Sequence, residues 1–330
     1  MLSINLFRTL PKMPAINVVG AHDSMLDSAW PHISLAYNCL LASLNCRHSS
    51  NISSSFIYNL VRNCSSPDDR ERIAVRDILH TLYTKYMNLR SIVRDKVAAH
   101  FAIGNCSTEI LEFFVSVVTG FNSPLNPSHI TYYYNAILPI HTLENYPTFQ
   151  AQYVQLILRY ITKSGFLLDR TVNYLLMHWP KSCRQKQILF LSEIEELLEN
   201  FEINVTPQMA TSVFKLISKM TMNLNSDVAE TAINILMNPK VSFLLKTHAS
   251  TLYPIIVKYV YKSAKNHWDE CIRTNAFVTL QGLSELDSQT FNKVNETLKV
   301  RKAKKANQFK ANWTEIFEGA KAFDRNIKPI

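Results

Sequence analysis

The chain has 330 residues, 47% of them apolar and 18% charged, with a net charge of +9. That balance marks a folded protein too long for one small core, so two domains or an extended repeat array is expected. Only six Gly occur, which argues against phosphate-cradling loops, tight hairpins and a doubly wound sheet.

The positive charge is uneven. Lys299, Arg301, Lys302, Lys304, Lys305 and Lys310 cluster near the C-terminus, and without them the balance is about +3. The body of the chain therefore need not bind nucleic acid. Such a run reads as a solvated helix or tail, or as a nuclear-targeting or phosphate-contacting segment. None of the six cysteines forms a C-x-x-C pair or stands at zinc-ligand spacing with His, so no metal or cofactor is expected. The opening MLSINLFRTLPK lacks the apolar run of a signal peptide, and no stretch of 18 apolar residues could span a membrane. A reducing compartment, cytosol or nucleus, is the expectation.

In chain order, residues 1–22 read as an entry segment: a short apolar stretch from Asn5 to Pro11, then a loop to about His22. Asp23 or Ser24 can cap the next element, and a helix is predicted through Leu44, with Trp30-Pro31-His32 at its start. A Ser/Asn-rich loop at 47–54 leads to a helix over Phe56–Asn63. Ser65-Ser66-Pro67-Asp68-Asp69 is a stop and restart, with Pro suited to a first turn and acids to the positive helix N-terminus. Asp77–Lys96 then reads as one amphipathic helix. Ile78, Leu82, Leu89, Val93 and Val97 share an apolar face, and His80, Tyr83, Met87, Arg90 and Arg94 form a polar stripe beside it. His, Tyr and two Arg beside an apolar edge suit a ligand with an acidic and a greasy part. They also suit a solvated flank whose long side chains cover the core edge.

Further helices are predicted over Thr108–Thr119 (capped by Ser107 or Thr108), His129–Ile137, Leu167–His178, Lys186–Phe201, Pro207–Leu224, Asp227–Met237, Val241–Lys246, Leu252–Ser263, Trp268–Leu286 and Thr290–Lys305. Pro139, Pro147, Pro180, Pro207, Pro239 and Pro254 fall mostly where helices should begin or stop. The recurring unit is a helix pair of about 40 residues, clearest between Pro139 and Pro180, the size of HEAT or armadillo repeats. The expected fold is therefore all-α: a HEAT-like α-solenoid of roughly eight helical pairs over 23–298, with a basic helix or tail at 299–330.

Enzyme signatures are missing: no H-E-x-x-H, no G-x-S-x-G elbow, no Walker loop, no kinase set. The acidic cluster Glu193, Glu195, Glu196, Glu199 and Glu202 has no His or Asp at ligand spacing and reads as a solvated helix face, or as a charged docking patch. Tyr132, Tyr133 and Tyr134 lack the interleaved Lys/Arg of a single-strand-binding groove.

An ordered set of short blocks narrows the choice. Phe7-Arg8-Thr9-Leu10-Pro11 is followed by Ala29-Trp30-Pro31-His32, by Asp68-Asp69-Arg70-Glu71-Arg72, by Leu79-His80 with Tyr83 and Lys85, and by Leu89-Arg90. Gly120-Phe121 precedes Pro124-Leu125, Leu138-Pro139-Ile140-His141 comes next, and Trp179-Pro180-Lys181 runs into Phe190-Leu191-Ser192-Glu193-Ile194-Glu195-Glu196. Asp227-Val228-Ala229-Glu230 and His267-Trp268 complete the series. In these blocks the chain resembles the B-prime family of protein phosphatase 2A regulatory subunits over nearly its whole length, with short extensions at both ends.

The resemblance implies a HEAT-like α-solenoid without catalytic residues. It also implies partners: the phosphatase scaffold (A) and catalytic (C) subunits, and substrates or adaptors carrying motifs of the type Leu-x-x-Ile-x-Glu, often with acidic or phosphorylated flanks. In that scheme His80 matches a position that contacts the motif Glu, Tyr83 one that packs on its Ile, and Arg90 one near its acidic flank. Arg94 matches a further Arg of the same wall. Phe113, Val117 and His129 match positions around the pocket for the motif Leu. Three positions depart from the pattern: Thr81 replaces an Arg beside the His, Asn126 replaces a Lys, and Phe113 replaces an Ile. One lost charge-assisted hydrogen bond is worth about 1.5–3 kcal/mol, roughly ten- to a hundredfold in affinity. The expected function is a non-catalytic, substrate-recruiting regulatory subunit in cytoplasm or nucleus. A solenoid scaffold or transport adaptor unconnected to phosphatases, and a nucleic-acid-binding solenoid using Lys299–Lys310, are the competing readings.

Overall fold

The computed structural model describes residues 2–10, 25–46 and 52–323, with side chains from Ile4 to Lys321 within those ranges. The Pro11–His22 loop, the candidate caps Asp23 and Ser24 and most of the 47–54 loop lie outside the described residues. Among the described residues there are helices and no strands, and the fold class is the all-α, HEAT-like solenoid type. The chain divides into two compact units, residues 1–189 and 190–330.

In the first unit the helices are α1 (Leu2–Leu6), α2 (Trp30–Asn45), α3 (Ser54–Arg62), α4 (Asp69–Lys85), α5 (Arg90–Ala102), α6 (Thr108–Thr119), α7 (Pro127–Tyr132), α8 (Tyr146–Lys163) and α9 (Leu167–Met177). Alternate helices stack: α2 packs on α4, α4 on α6 and α6 on α8, while α3 packs on α5. The second unit holds α11 (Pro207–Met220), α12 (Ser226–Met237), α13 (Pro239–Thr247), α14 (Ala249–Asn266), α15 (Glu270–Leu286) and α16 (Ser288–Phe323), with α10 (Arg184–Asn200) spanning the division. There α11 packs on α14, α12 on α15, and α14 on both α15 and α16.

The 40-residue period recurs in the bonds between neighbouring pairs. Ser123 Oγ donates to Lys163 O across 40 residues, Asn145 Nδ2 to Cys106 O across 39, and Ser263 Oγ to Thr221 O across 42. His267 Nε2 meets Asn223 O across 44 residues, and Trp268 Nε1 donates to Leu224 O across the same interval. The His267-Trp268 block thus stitches one inter-helix loop onto the next.

Helix starts obey capping chemistry. The side chains of Ser53, Asp68, Asn126, Thr206, Asn225, Asn238 and Asp269 each accept a backbone N–H of the helix they precede. Pro67 therefore sits just before the cap of α4, not in its first turn. Ser107 occupies the cap position of α6 without a side-chain bond to it.

Several elements differ from the sequence expectation. Asp77–Lys96 is two helices, because Tyr86 leaves the helical region (φ −112°, ψ 85°) and a tight turn over Met87–Leu89 begins α5. No Gly or Pro marks the break; it is fixed from outside, by Lys85 Nζ on Asn45 Oδ1 and by Tyr86 Oη donating to Leu44 O at 3.4 Å. A seven-residue step from Leu82 to Leu89 keeps both apolar faces in one core, so the pattern mimics a single helix.

His129–Ile137 starts earlier, at Pro127, and ends in a wider π-type turn over Tyr133–Ile137, with a tight turn around Pro139 after it, whose ring cannot continue the helix. α8 is a helix the sequence reading misses. Tyr146, Phe149, Tyr153, Leu156, Ile157 and Tyr160 form its buried face, and Tyr153 Oη pairs with Ile137 O at 3.0 Å and His141 Nδ1 at 2.8 Å.

Pro254 lies inside α14, on an exposed position near its N-terminal end, instead of at a boundary. Glu193 is not on a solvated face but buried in α10 beside Ile194 and Phe190. Glu195 and Glu199 both accept from Asn238 Nδ2 at 2.6 Å, and Glu199 pairs with Lys240 at 2.9 Å, so the acidic cluster anchors the start of α13. α16 is continuous across residue 299, and its basic residues are exposed, with Lys302 lying over the Tyr261 ring at 4.0 Å.

Candidate functional site

The start of α4 is locked by a buried polar cluster that sets the positions of everything after it. Glu71 has no exposed surface and accepts from Arg8 (NH1 2.7 Å, NH2 3.1 Å), Tyr37 Oη (2.9 Å) and Ser66 Oγ (2.5 Å). Asn63 Nδ2 donates to Leu6 O at 2.7 Å and Tyr37 Oη at 2.8 Å. Burial opposes the Arg8 charge, but its bonds to Glu71 and Asp27 prevail and raise its pKa. Burial likewise opposes ionised Asp68, yet the bonds from Arg70 and from the Asp27 and Arg70 amides hold its carboxyl down to about 2. The Arg8 and Asp68-to-Arg72 blocks thus meet in one network, which pins α1 and the residues before α2 to α4.

From that anchor α4 and α6 face each other through three polar rungs, one helical turn apart. Arg72 Nε donates to Glu109 Oε2 at 2.9 Å, Arg76 NH1 to Glu112 Oε2 at 2.6 Å, and His80 Nε2 meets Ser116 Oγ at 3.0 Å. Arg76 also pairs with Asp77 at 2.9 Å. Around the second and third rungs a surface depression is lined by Arg76, Asp77, His80, Thr81, Glu112 and Ser116, with Phe113 beneath. The Thr81 hydroxyl donates to its own helix, at Asp77 O (2.9 Å).

The remaining stripe residues meet on the other side of Tyr83, and the helix break is what brings them there. Arg90, the first residue of α5, donates from Nε to Tyr83 O at 2.8 Å, satisfying a free carbonyl at the α4 C-terminus. Its guanidinium lies 5.2 Å from the Tyr83 ring centroid. Arg94 NH1 donates to Tyr83 Oη at 2.9 Å. Tyr83 is 7% exposed and packs edge-to-face on Phe113, centroids 5.7 Å apart. Phe113 is 1% exposed and Val117, one turn further along α6, 8%.

His129 on α7 stacks on Phe121 with centroids 3.8 Å apart. Burial and then the nearby Arg94 charge lower its pKa, which favours the neutral ring. Asn126 caps α7 by accepting from Ser128 N at 3.1 Å.

The seven sequence-predicted positions are therefore placed unequally. Tyr83, Arg90, Arg94 and Phe113 form one contiguous cluster. His80 faces the neighbouring depression, and His129 is tied to the cluster through the field of Arg94. Val117 lies buried one turn beyond Phe113 on α6. Sequence reasoning missed Arg76, Asp77, Glu112 and Ser116. Arg76 and Asp77 lie one turn before His80 on the same helix, so the i, i+3/i+4 rule would have found them.

Each guanidinium carries five N–H donors, and among the described residues Arg90 and Arg94 each use one, on Tyr83, so both retain donors for an anionic ligand. Among the described residues no group of His, Cys, Asp and Glu could hold a metal ion. No described helix is long and apolar enough to cross a membrane.

Comparison with known proteins places the chain in a family. The family described as "Protein phosphatase 2A regulatory B subunit (B56 family)" matches residues 1–320. The chain is 29% identical over 338 residues to the serine/threonine-protein phosphatase 2A 56 kDa regulatory subunit alpha isoform of Mus musculus, covering 96% of this chain and 69% of that protein. It is 27% identical over 316 residues to the beta isoform of Oryctolagus cuniculus, covering 92% and 63%, and 28% identical over 343 residues to the delta isoform of Homo sapiens, covering 97% and 57%. With a family match over almost its full length, the chain belongs to the B56 family of protein phosphatase 2A regulatory B subunits.

Proposed function

We propose that this chain acts without catalytic residues of its own, binding the scaffold (A) and catalytic (C) subunits of a protein phosphatase 2A-type enzyme in cytoplasm or nucleus and recruiting substrates to it. The recruiting surface is the groove along α4 to α7, where an extended segment of the Leu-x-x-Ile-x-Glu type lies. The convergence of Arg90 and Arg94 on Tyr83, over the apolar floor of Phe113, carries this reading. It pairs apolar area for aliphatic side chains with cationic donors for an acidic flank. Phe113 fills space that an Ile would leave open, and Asn126 is spent on capping α7, so the groove departs from the family pattern without losing its cationic end.

Fluorescence polarisation tests the groove. A labelled Leu-x-x-Ile peptide with an acidic flank is expected to bind, and Arg90→Glu to weaken it at least about tenfold, the equivalent of about 1.4 kcal/mol. Binding indifferent to Arg90→Glu contradicts the reading.

A further inference from the structure

We infer that α16 docks on an anionic phospholipid bilayer, lying along its surface with Phe309, Trp313 and Ile316 at the acyl boundary and the preceding basic residues on the headgroups. The inference concerns the second unit alone and is independent of the groove.

An uncovered helix face carries it. α16 begins against its own unit, where Val294 is buried and the helix packs on α14 and α15. Beyond Leu298 that cover ends, and every residue from Lys299 to Ile316 is exposed. Phe309, Trp313 and Ile316 are 63%, 48% and 59% exposed. At helical spacing they fall within an arc of about 60°. Phe309 and Trp313 meet edge-to-face with ring centroids 5.9 Å apart, so the three make one apolar patch.

The charge around that patch says what covers it. Lys299, Arg301, Lys302, Lys305 and Lys310 fall in the half of the helix centred on Phe309, an arc of about 180°, and Glu296, Glu315 and Glu318 fall outside it. α14 extends the basic field: Lys258, Lys262 and Lys265 share its exposed face with Tyr261, and Lys302 lies over the Tyr261 ring at 4.0 Å. An anionic bilayer meets both features at once. Clustered Lys and Arg gain from its surface potential, and Trp, Phe and Ile gain from its interface. A second copy of this face would set cations against cations or apolar groups, because the acids lie on the far side. A nucleic acid would leave Ile316 without a role, and the two rings follow the basic run instead of interleaving with it.

Flotation of the full chain with vesicles provides the test. The chain is expected to float with vesicles of phosphatidylcholine mixed with phosphatidylserine, to stay behind with phosphatidylcholine alone, and to be released as salt rises. Lys305→Glu with Lys310→Glu should weaken binding to the anionic vesicles at least about tenfold. Phe309→Ser with Trp313→Ser should weaken it by a similar factor. All four side chains are exposed, so urea unfolding of both variants should match that of the unaltered chain. No flotation with anionic vesicles, or flotation unchanged in either variant, overturns the inference. Tighter binding of a single-stranded oligonucleotide than of the vesicles, at equal phosphate concentration, overturns it in favour of nucleic acid.

Discussion

Replacing Glu71 with Ala is expected to destabilise the first unit by about 3–5 kcal/mol, the usual cost of breaking a buried ion pair from one side. The reason is what the substitution leaves behind. Arg8, Tyr37 Oη and Ser66 Oγ all direct protons at the Glu71 carboxylate. Without it Asp27 is the one anionic partner left to Arg8 among the described residues, and the two hydroxyls lose their acceptor in a buried setting. Glu71→Gln keeps the volume and one oxygen, loses the charge, and should cost about 1–3 kcal/mol. Urea unfolding of both variants provides the measurement. A loss below about 1 kcal/mol for Glu71→Ala would mean that the cluster is not what pins α1 and the Asp27 segment to α4.

Phe113→Ala is expected to cost a similar amount, about 3–5 kcal/mol, because a fully buried ring is lost and little around it can collapse into the space. Its edge-to-face contacts with Tyr83 at 5.7 Å and Phe114 at 5.1 Å add about 0.5–1.5 kcal/mol each. The functional consequence is separable from stability. Phe113→Ile is less disruptive and opens room beneath Tyr83, so it should tighten binding of a peptide with a bulky aliphatic anchor while lowering thermal stability by a few degrees. Equal affinity for both proteins would show that Phe113 supports the core without shaping the groove.

The helical repeat was legible because apolar residues at helical spacing and Ser, Thr, Asn and Asp caps both report on local backbone chemistry. Ile78, Leu82, Leu89, Val93 and Val97 are buried as their spacing implies. The turn at Tyr86 was not legible, since it is imposed by Lys85 and Tyr86 reaching the end of α2, 40 to 42 residues earlier.

α8 was not legible because Tyr146, Tyr153 and Tyr160 interrupt the aliphatic pattern of its buried face. Tyr scores as polar until its hydroxyl finds a partner, as that of Tyr153 does on Ile137 and His141. Glu193 failed for the converse reason: local sequence cannot show that a carboxylate is enclosed by its surroundings. At the site, Tyr83, Arg90 and Arg94 were legible as a stripe, although on two helices instead of one. The Arg76–Glu112 rung links α4 to α6 across 36 residues, a pairing that appears only once the two helices are side by side.

Whether this B56-family chain works as part of a phosphatase is tested most directly by reconstitution. The purified full chain is mixed with the purified scaffold and catalytic subunits of protein phosphatase 2A, and the mixture is resolved by size-exclusion chromatography. A single peak containing all three, with phosphatase activity co-eluting, is the expected result. Elution of this chain apart from an intact scaffold–catalytic pair would contradict its assignment as a working regulatory subunit.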